Sequence, residues 1–177
     1  MTDFLIAKWS IWYKSLDVNH DGKISIEDVE ESRNKFTDLH KLVGDKCSGV
    51  KVDMEKWWNT YIFPEKGAEI SEDQFLELLG KQYSDDKEAF VKKMTDCFNS
   101  IFDVIDTNKD RSIDLNEFIY AFAAFGHENE GVVKKAFALF KPTEDTVPLR
   151  TVVDAWISFV TCEDGSKCDI IKTAFES

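Results

Sequence analysis

Long apolar runs are missing from this sequence, and no segment is apolar enough to span a bilayer. The first stretch, MTDFLIAKWSIWYKSL, is interrupted by Asp3, Lys8 and Lys14, so it lacks the apolar centre of a secretory signal. Thr2 stands where N-myristoylation needs glycine. Basic residues are also in deficit, 22 against 34 acidic ones for a net charge of -12. Such a surface repels nucleic acid and anionic lipid and suits cations or basic partners. Cysteine is sparse: Cys47, Cys97, Cys162 and Cys168 form no CxxC pair, and four thiols are too few to staple a chain of 177 residues. They are expected to be reduced and metal-free. Catalytic signatures are lacking too, with no GxSxG, P-loop lysine, HExxH or zinc-spaced Cys/His cluster, so no enzyme is expected. These absences predict a soluble cytoplasmic protein, bound to neither nucleic acid nor membrane.

Helical periodicity, by contrast, runs almost throughout. Phe90, Met94, Cys97, Phe98, Ile101, Phe102 and Ile105 form one continuous helical stripe of about four turns. Similar patterns predict helices near 3–16, 26–42, 51–62, 72–82, 115–125, 130–140 and 149–160, with a short ninth near Asp169 to Phe175. Gly80 and Gly126 fall where helix C-caps are expected. The charged segment from Lys81 to Glu88 is the best candidate link, dividing the chain into 1–84 and 85–177. Ser25 to Asp28, Ser71 to Gln74 and Asp114 to Glu117 repeat a capping-box spacing, each at or next to an isoleucine: Ile24, Ile70 and Ile113. The repeated unit is helix, polar turn, isoleucine, capping box, helix.

The polar turns carry the chemistry. A calcium loop follows D-x-[DN]-x-[DN]-G with a carboxylate at position 12, so that oxygens at positions 1, 3, 5, 7, 9 and 12 converge on a hard cation. In LDVNHDGKISIED those positions hold Asp17, Asn19, Asp21, the Lys23 carbonyl, Ser25 and Asp28, with Gly22 sixth. DTNKDRSIDLNE repeats the pattern with Asp106, Asn108, Asp110, the Ser112 carbonyl, Asp114 and Glu117. Its sixth residue is Arg111, where left-handed backbone costs a non-glycine residue about 1 to 2 kcal/mol. One such turn is commonly just a surface turn, since Asp, Asn and Gly favour turns without metal. Two copies, each flanked by amphipathic helices and each with isoleucine at position 8, point to metal. Crowded carboxylates repel one another until a cation arrives. Asp28 is one methylene shorter than glutamate, which suits six-coordinate magnesium, and loop one has three ligand carboxylates against four in loop three. A mixed magnesium/calcium site is expected first and a stronger calcium site third.

Two further turns have lost this chemistry. With Ile70 at position 8, Phe63, Glu65, Gly67 and Gln74 take positions 1, 3, 5 and 12, leaving no carboxylate at either end. The fourth turn, KPTEDTVPLRT, begins with Lys141, carries Pro142 and Pro148 and is one residue short. Both are expected to be metal-free and to serve as pairing partners, Ile24 meeting Ile70 and Ile113 meeting Val147.

Four helix-loop-helix units over nearly the whole chain resemble the EF-hand proteins: an all-α fold of two pairs packed into one globule, with short two-stranded bridges. The length, long first unit, aromatic helices and Asp28 at the twelfth position resemble the invertebrate sarcoplasmic calcium-binding proteins. That resemblance implies a monomeric cytosolic buffer, abundant in muscle, that exchanges Mg2+ for Ca2+ without catalysis. Its members often bind at three sites, whereas two are expected here. A protein target is not indicated: sensors expose a Met-rich groove, and this chain has three Met against fourteen Phe and five Trp. Trp9, Trp12, Trp57, Trp58 and Trp156 are expected to pack the core. A calexcitin-like sensor is the alternative. Less favoured is a carrier resembling photoproteins or luciferin-binding proteins, because His20, His40 and His127 are all expected to face solvent.

Overall fold

The computed structural model describes residues 2–165 and 170–176, so Cys168 and Asp169 lie outside it. The first half consists of α1 (Asp3–Leu16), α2 (Ile26–Leu39), α3 (Gly44–Tyr61) and α4 (Glu72–Asp85). The second consists of α5 (Lys87–Ile105), β1 (Ser112–Asp114), α6 (Leu115–Ala124), α7 (Glu130–Leu139), β2 (Thr146–Pro148) and α8 (Leu149–Thr161), followed by α9 (Ile170–Glu176). Helix starts follow local chemistry. Ser25, Ser71 and Asp114 each accept a backbone N–H of the first turn, while Asp28, Gln74 and Glu117 reach back to the cap's own N–H. All three capping boxes expected from the sequence are therefore formed.

The predicted pairings are present. Ile24 and Ile70 exchange backbone hydrogen bonds of 3.0 and 2.9 Å in an isolated antiparallel bridge. β1 and β2 run antiparallel with Ile113 opposite Val147. These four side chains are at most 1% exposed, so each bridge also plugs the core beneath its two loops.

Two helices exceed their predicted lengths. α4 runs through Gly80, which is not its C-cap, because the apolar face Phe75, Leu79, Tyr83 continues at four-residue spacing. Tyr83 packs on Trp9 and Phe90 with ring centroids 5.9 and 5.4 Å apart, a return that outweighs the roughly 1 kcal/mol helix penalty of glycine. α3 begins at Gly44 rather than near residue 51; its first turns bury little and carry no periodic signal. The charged link is short: Asp86 alone separates α4 from α5 and caps the latter through Ala89 N–H.

One core runs through both halves. The α5 stripe from Phe90 to Ile105 is buried along its whole length, against α3, α4 and α8. α1 packs on α4 and α8, and α2 on α3 and α6. Phe98 lies between Trp12 and Trp156, with centroids 5.5 and 5.4 Å away. All five tryptophans are core residues, none more than 8% exposed. Among the described residues no helix is long and apolar enough to cross a membrane.

Candidate metal centres

The first and third loops share one backbone. Their fourth residues, His20 and Lys109, are left-handed at φ 57° each, and their sixth, Gly22 and Arg111, at φ 88° and 61°. Arg111 thus takes the strained conformation that glycine takes in the first loop. The same internal bonds recur. The sixth N–H donates to the first carboxylate, Gly22 to Asp17 at 2.9 Å and Arg111 to Asp106 at 3.1 Å. The seventh donates to the fifth, Lys23 to Asp21 at 3.1 Å and Ser112 to Asp110 at 2.9 Å. The ninth donates to the twelfth, Ser25 to Asp28 at 2.8 Å and Asp114 to Glu117 at 3.2 Å. Alternating left-handed residues turn successive N–H groups inward, and these hold the acidic side chains facing one another.

The loops differ in closure. In the first, one carboxylate oxygen from each of Asp17, Asp21 and Asp28 lies within 4.8 Å of the others. Asp28 is fully buried and also accepts Asn19 N–H at 3.1 Å, which ties position 12 to position 3. Asn19 Nδ2 donates to Asp21 and Glu27, both at 3.3 Å, leaving its buried Oδ1 without a partner. Among the described residues the third loop gathers no comparable trio. Asn108 Oδ1 accepts Asp110 N–H at 3.2 Å, and Asp114 Oδ1 accepts Glu117 N–H at 2.8 Å. Asp106 Oδ1 and Glu117 Oε2 are buried without a hydrogen-bond partner. A buried carboxylate oxygen without a donor is costly, and such exceptions in native structures call for a ligand. The donor sets are all hard oxygen, the chemistry that calcium and magnesium need.

Electrostatics agree. Burial pushes Glu117 up to about 7, and its acidic loop neighbours Asp114, Asp110 and Asp106 add to the rise. Burial likewise raises Asp28 to about 6, with Asp17 and Asp21 contributing. Without a cation, each loop holds its last carboxylate where ionisation is unfavourable.

The second and fourth turns lack these features. Phe63, at position 1 of the second, is 5% exposed and packs against Trp58, so a ligand position has become core. In the fourth, Thr143 and Thr146, the first residue of β2, close a tight turn on each other's backbone.

Supporting residues escaped the sequence reading. Tyr13 donates its hydroxyl to Ile70 O at 2.8 Å and lies 3.3 Å from Gly22 O, joining the first loop to its silent partner. Burial, with Asp17 adding, pushes its phenol up to about 12. Asp103 pairs with Arg111 at 2.6 Å, drawing the guanidinium outward. Gly126 abuts the first loop from the opposite half: a Cβ there would lie 2.7 Å from Val18 O, and His20 Nε2 is 3.2 Å from Gly126 O. A tyrosine four residues before position 1 was the available signal for Tyr13; nothing local announces the Gly126 contact. The histidine expectation is corrected in part. His20 is exposed, but His40 packs on Phe36 and Tyr120, and His127 turns inward against Phe122 and Phe175. Gly126 causes the inward turn, its left-handed φ of 85° sending His127 N–H back to Phe122 O at 2.9 Å.

Comparison with known proteins agrees with this geometry. Residues 11–123 match the family described as an EF-hand domain pair. A sarcoplasmic calcium-binding protein of Mizuhopecten yessoensis is 78% identical over 177 residues, covering 99% of this chain and 100% of that one. Among solved structures, the calcium-loaded apo form of a coelenterazine-binding protein from Renilla muelleri superposes with a TM-score of 0.80 at 19% identity, over 99% of this chain and 98% of that one. The calcium-regulated photoprotein mitrocomin from Mitrocoma cellularia gives 0.69 at 18% identity, over 98% and 93%. At those identities the two structures are evidence of fold alone. The chain belongs to the EF-hand superfamily and, within it, to the sarcoplasmic calcium-binding proteins, which bind calcium and are not enzymes.

Proposed function

We propose that this protein is a cytosolic, monomeric Ca2+/Mg2+ buffer acting through its first and third loops, one in each of the pairs 1–84 and 85–177. Asp17, Asn19, Asp21, the Lys23 carbonyl, Ser25 and Asp28 would hold one ion. Asp106, Asn108, Asp110, the Ser112 carbonyl, Asp114 and Glu117 would hold the other. The observation that carries this reading is the set of buried oxygens without protein partners in these two loops, Asn19 Oδ1, Asp106 Oδ1 and Glu117 Oε2. A bound cation supplies the positive charge that such oxygens lack. Magnesium competes mainly at the first site, where the short Asp28 and the tight carboxylate trio favour a small ion. Calcium dominates at the third, where Glu117 has a free oxygen for bidentate binding.

Buffering is favoured over sensing because exposing a groove would separate α2 from α6 and α3 from α5, contacts that join the halves through one aromatic core. The test is calorimetric calcium titration of metal-stripped protein, with and without millimolar magnesium, on wild type and Glu117→Gln. Two sites are expected, one lost in the variant and one weakened by magnesium. Three or more sites would overturn the reading of the silent loops, and calcium-dependent capture of a basic amphipathic peptide would overturn the buffer.

A further inference from the structure

The third loop carries two cations among its ligand positions. Lys109 and Arg111 stand fourth and sixth, where the first loop has His20 and Gly22. A divalent ion entering the loop therefore meets two positive charges close by, and like charges a few ångströms apart repel even in water. Arg111 bears directly on a ligand: its Nη1 lies 3.9 Å from Oδ2 of Asp106, the first residue of the loop. Both cations are drawn to one residue outside the loop. Asp103, in the last turn of α5, accepts Arg111 Nη1 on its carboxylate at 2.6 Å, and its backbone carbonyl accepts Lys109 Nζ. A lysine suits that carbonyl, because the last carbonyls of a helix lack internal partners and attract positive charge. The carboxylate has the wrong sign for a helix C-terminus, and exposed ion pairs return at most about 1 kcal/mol. The Asp103 side chain is 54% exposed, so it adds little to the fold. In the first loop the matching position is Lys14 and the sixth residue is glycine, so the acid is present where the arginine is and absent where it is not.

The geometry points to Asp103 as a positioning residue that sets the calcium affinity of the third loop: it touches no ion, but it holds the Arg111 guanidinium off Asp106. This deepens the two-loop buffer reading and rests on it. Calcium affinity in such loops follows the number of ligand charges available to the ion. Without the Asp103 carboxylate, Nη1 would turn to Asp106 Oδ2, which it already approaches at 3.9 Å. A charge-assisted bond there would compete with the ion and neutralise one of the four ligand carboxylates. With Asp103 in place, all four act on calcium. The first loop has no cation at its sixth position and needs no such device. Asp103 therefore offsets, at one site only, the electrostatic cost of placing arginine where the loop turns.

The test is calorimetric calcium titration of the full-length protein at about 0.15 M salt, where charges a Debye length away are screened. Glu117→Gln identifies the third site as the one it removes. Asp103→Asn should weaken that site roughly fivefold or more and leave the first within about twofold. Asp103→Glu, which keeps the charge, should stay within about twofold of wild type at both sites. In an Arg111→Gly background, Asp103→Asn should weaken the third site less than about twofold, because no guanidinium remains to be released. A merely structural role for Asp103 would not depend on Arg111 in this way. If Glu117→Gln removes a site but Asp103→Asn leaves its affinity within about twofold, or weakens it equally with and without Arg111, this inference falls while the buffer reading stands. If Glu117→Gln removes no site, the reading of the third loop falls and takes this inference with it.

Discussion

Glu117→Gln should act in opposite directions with and without calcium. In the metal-free protein, the raised value of about 7 against an ordinary 4.5 means that ionised Glu117 is disfavoured in the native state, mainly by burial. The native state therefore binds more protons than the unfolded chain between those two values. The stability this contributes is fully present below about 4.5 and lost as pH rises through 7. At roughly 1.36 kcal/mol per unit, the full loss by pH 8 is about 3 kcal/mol. Glutamine keeps the bond from Asp114 N–H to Oε1 but carries no charge, so it escapes that loss. In chelator at pH 8 the variant should be more stable than wild type by about 2 to 3 kcal/mol, or about 5 to 10 °C in melting temperature. The gap should close near pH 4.5. In saturating calcium the order should reverse, because the third loop no longer adds binding free energy to folding. Thermal denaturation by circular dichroism, in chelator across pH 4.5 to 8 and again in calcium, measures both signs. A variant no more stable than wild type at pH 8 in chelator, or a gap that ignores pH, would refute the account of Glu117 as a buried carboxylate lacking its cation.

Further expectations rest on single positions. Gly126→Ala adds a Cβ 2.7 Å from the Val18 carbonyl at a φ of 85°, so urea denaturation should give a loss of about 2 to 4 kcal/mol. Calcium affinity should fall at the first loop more than at the third. Arg111→Gly relieves left-handed strain and removes a positive charge 3.9 Å from Asp106. It should stabilise the metal-free form by about 1 kcal/mol and tighten calcium binding at the third loop, as read by denaturation and calorimetry. Calcium binding should expel protons from Glu117 and Asp28, so affinity should rise from pH 5 to 8 and then level, with calorimetric heats at pH 6.5 depending on the buffer's ionisation enthalpy.

Much of the fold was legible because it is set over short distances along the chain. Asp17, Gly22 and Asp28 define a loop through bonds that span at most nine residues, and Asp106 to Glu117 repeat them. Ser25, Ser71 and Asp114 start helices through bonds three residues away or fewer. Ile24 and Ile113 identified their partners because every unit places its eighth residue alike. The misreadings have a common cause. At Gly80 local propensity favours a helix end, yet Tyr83 three residues on has partners on α1 and α5 that carry the helix through. The start of α3 was invisible because residues 44–50 pack too little to leave a periodic trace.

The sequence by itself determined that two loops carry oxygen donors at the spacing of a calcium loop and two do not, because side chains at fixed spacing on a tight turn face one point wherever the turn is placed. Only the tertiary structure decided that Gly126 rests against the first loop and that His127 points inward. Each of those depends on helices from different halves meeting at a particular depth, and that depth is settled by the packing of many side chains at once rather than by any neighbour in the chain.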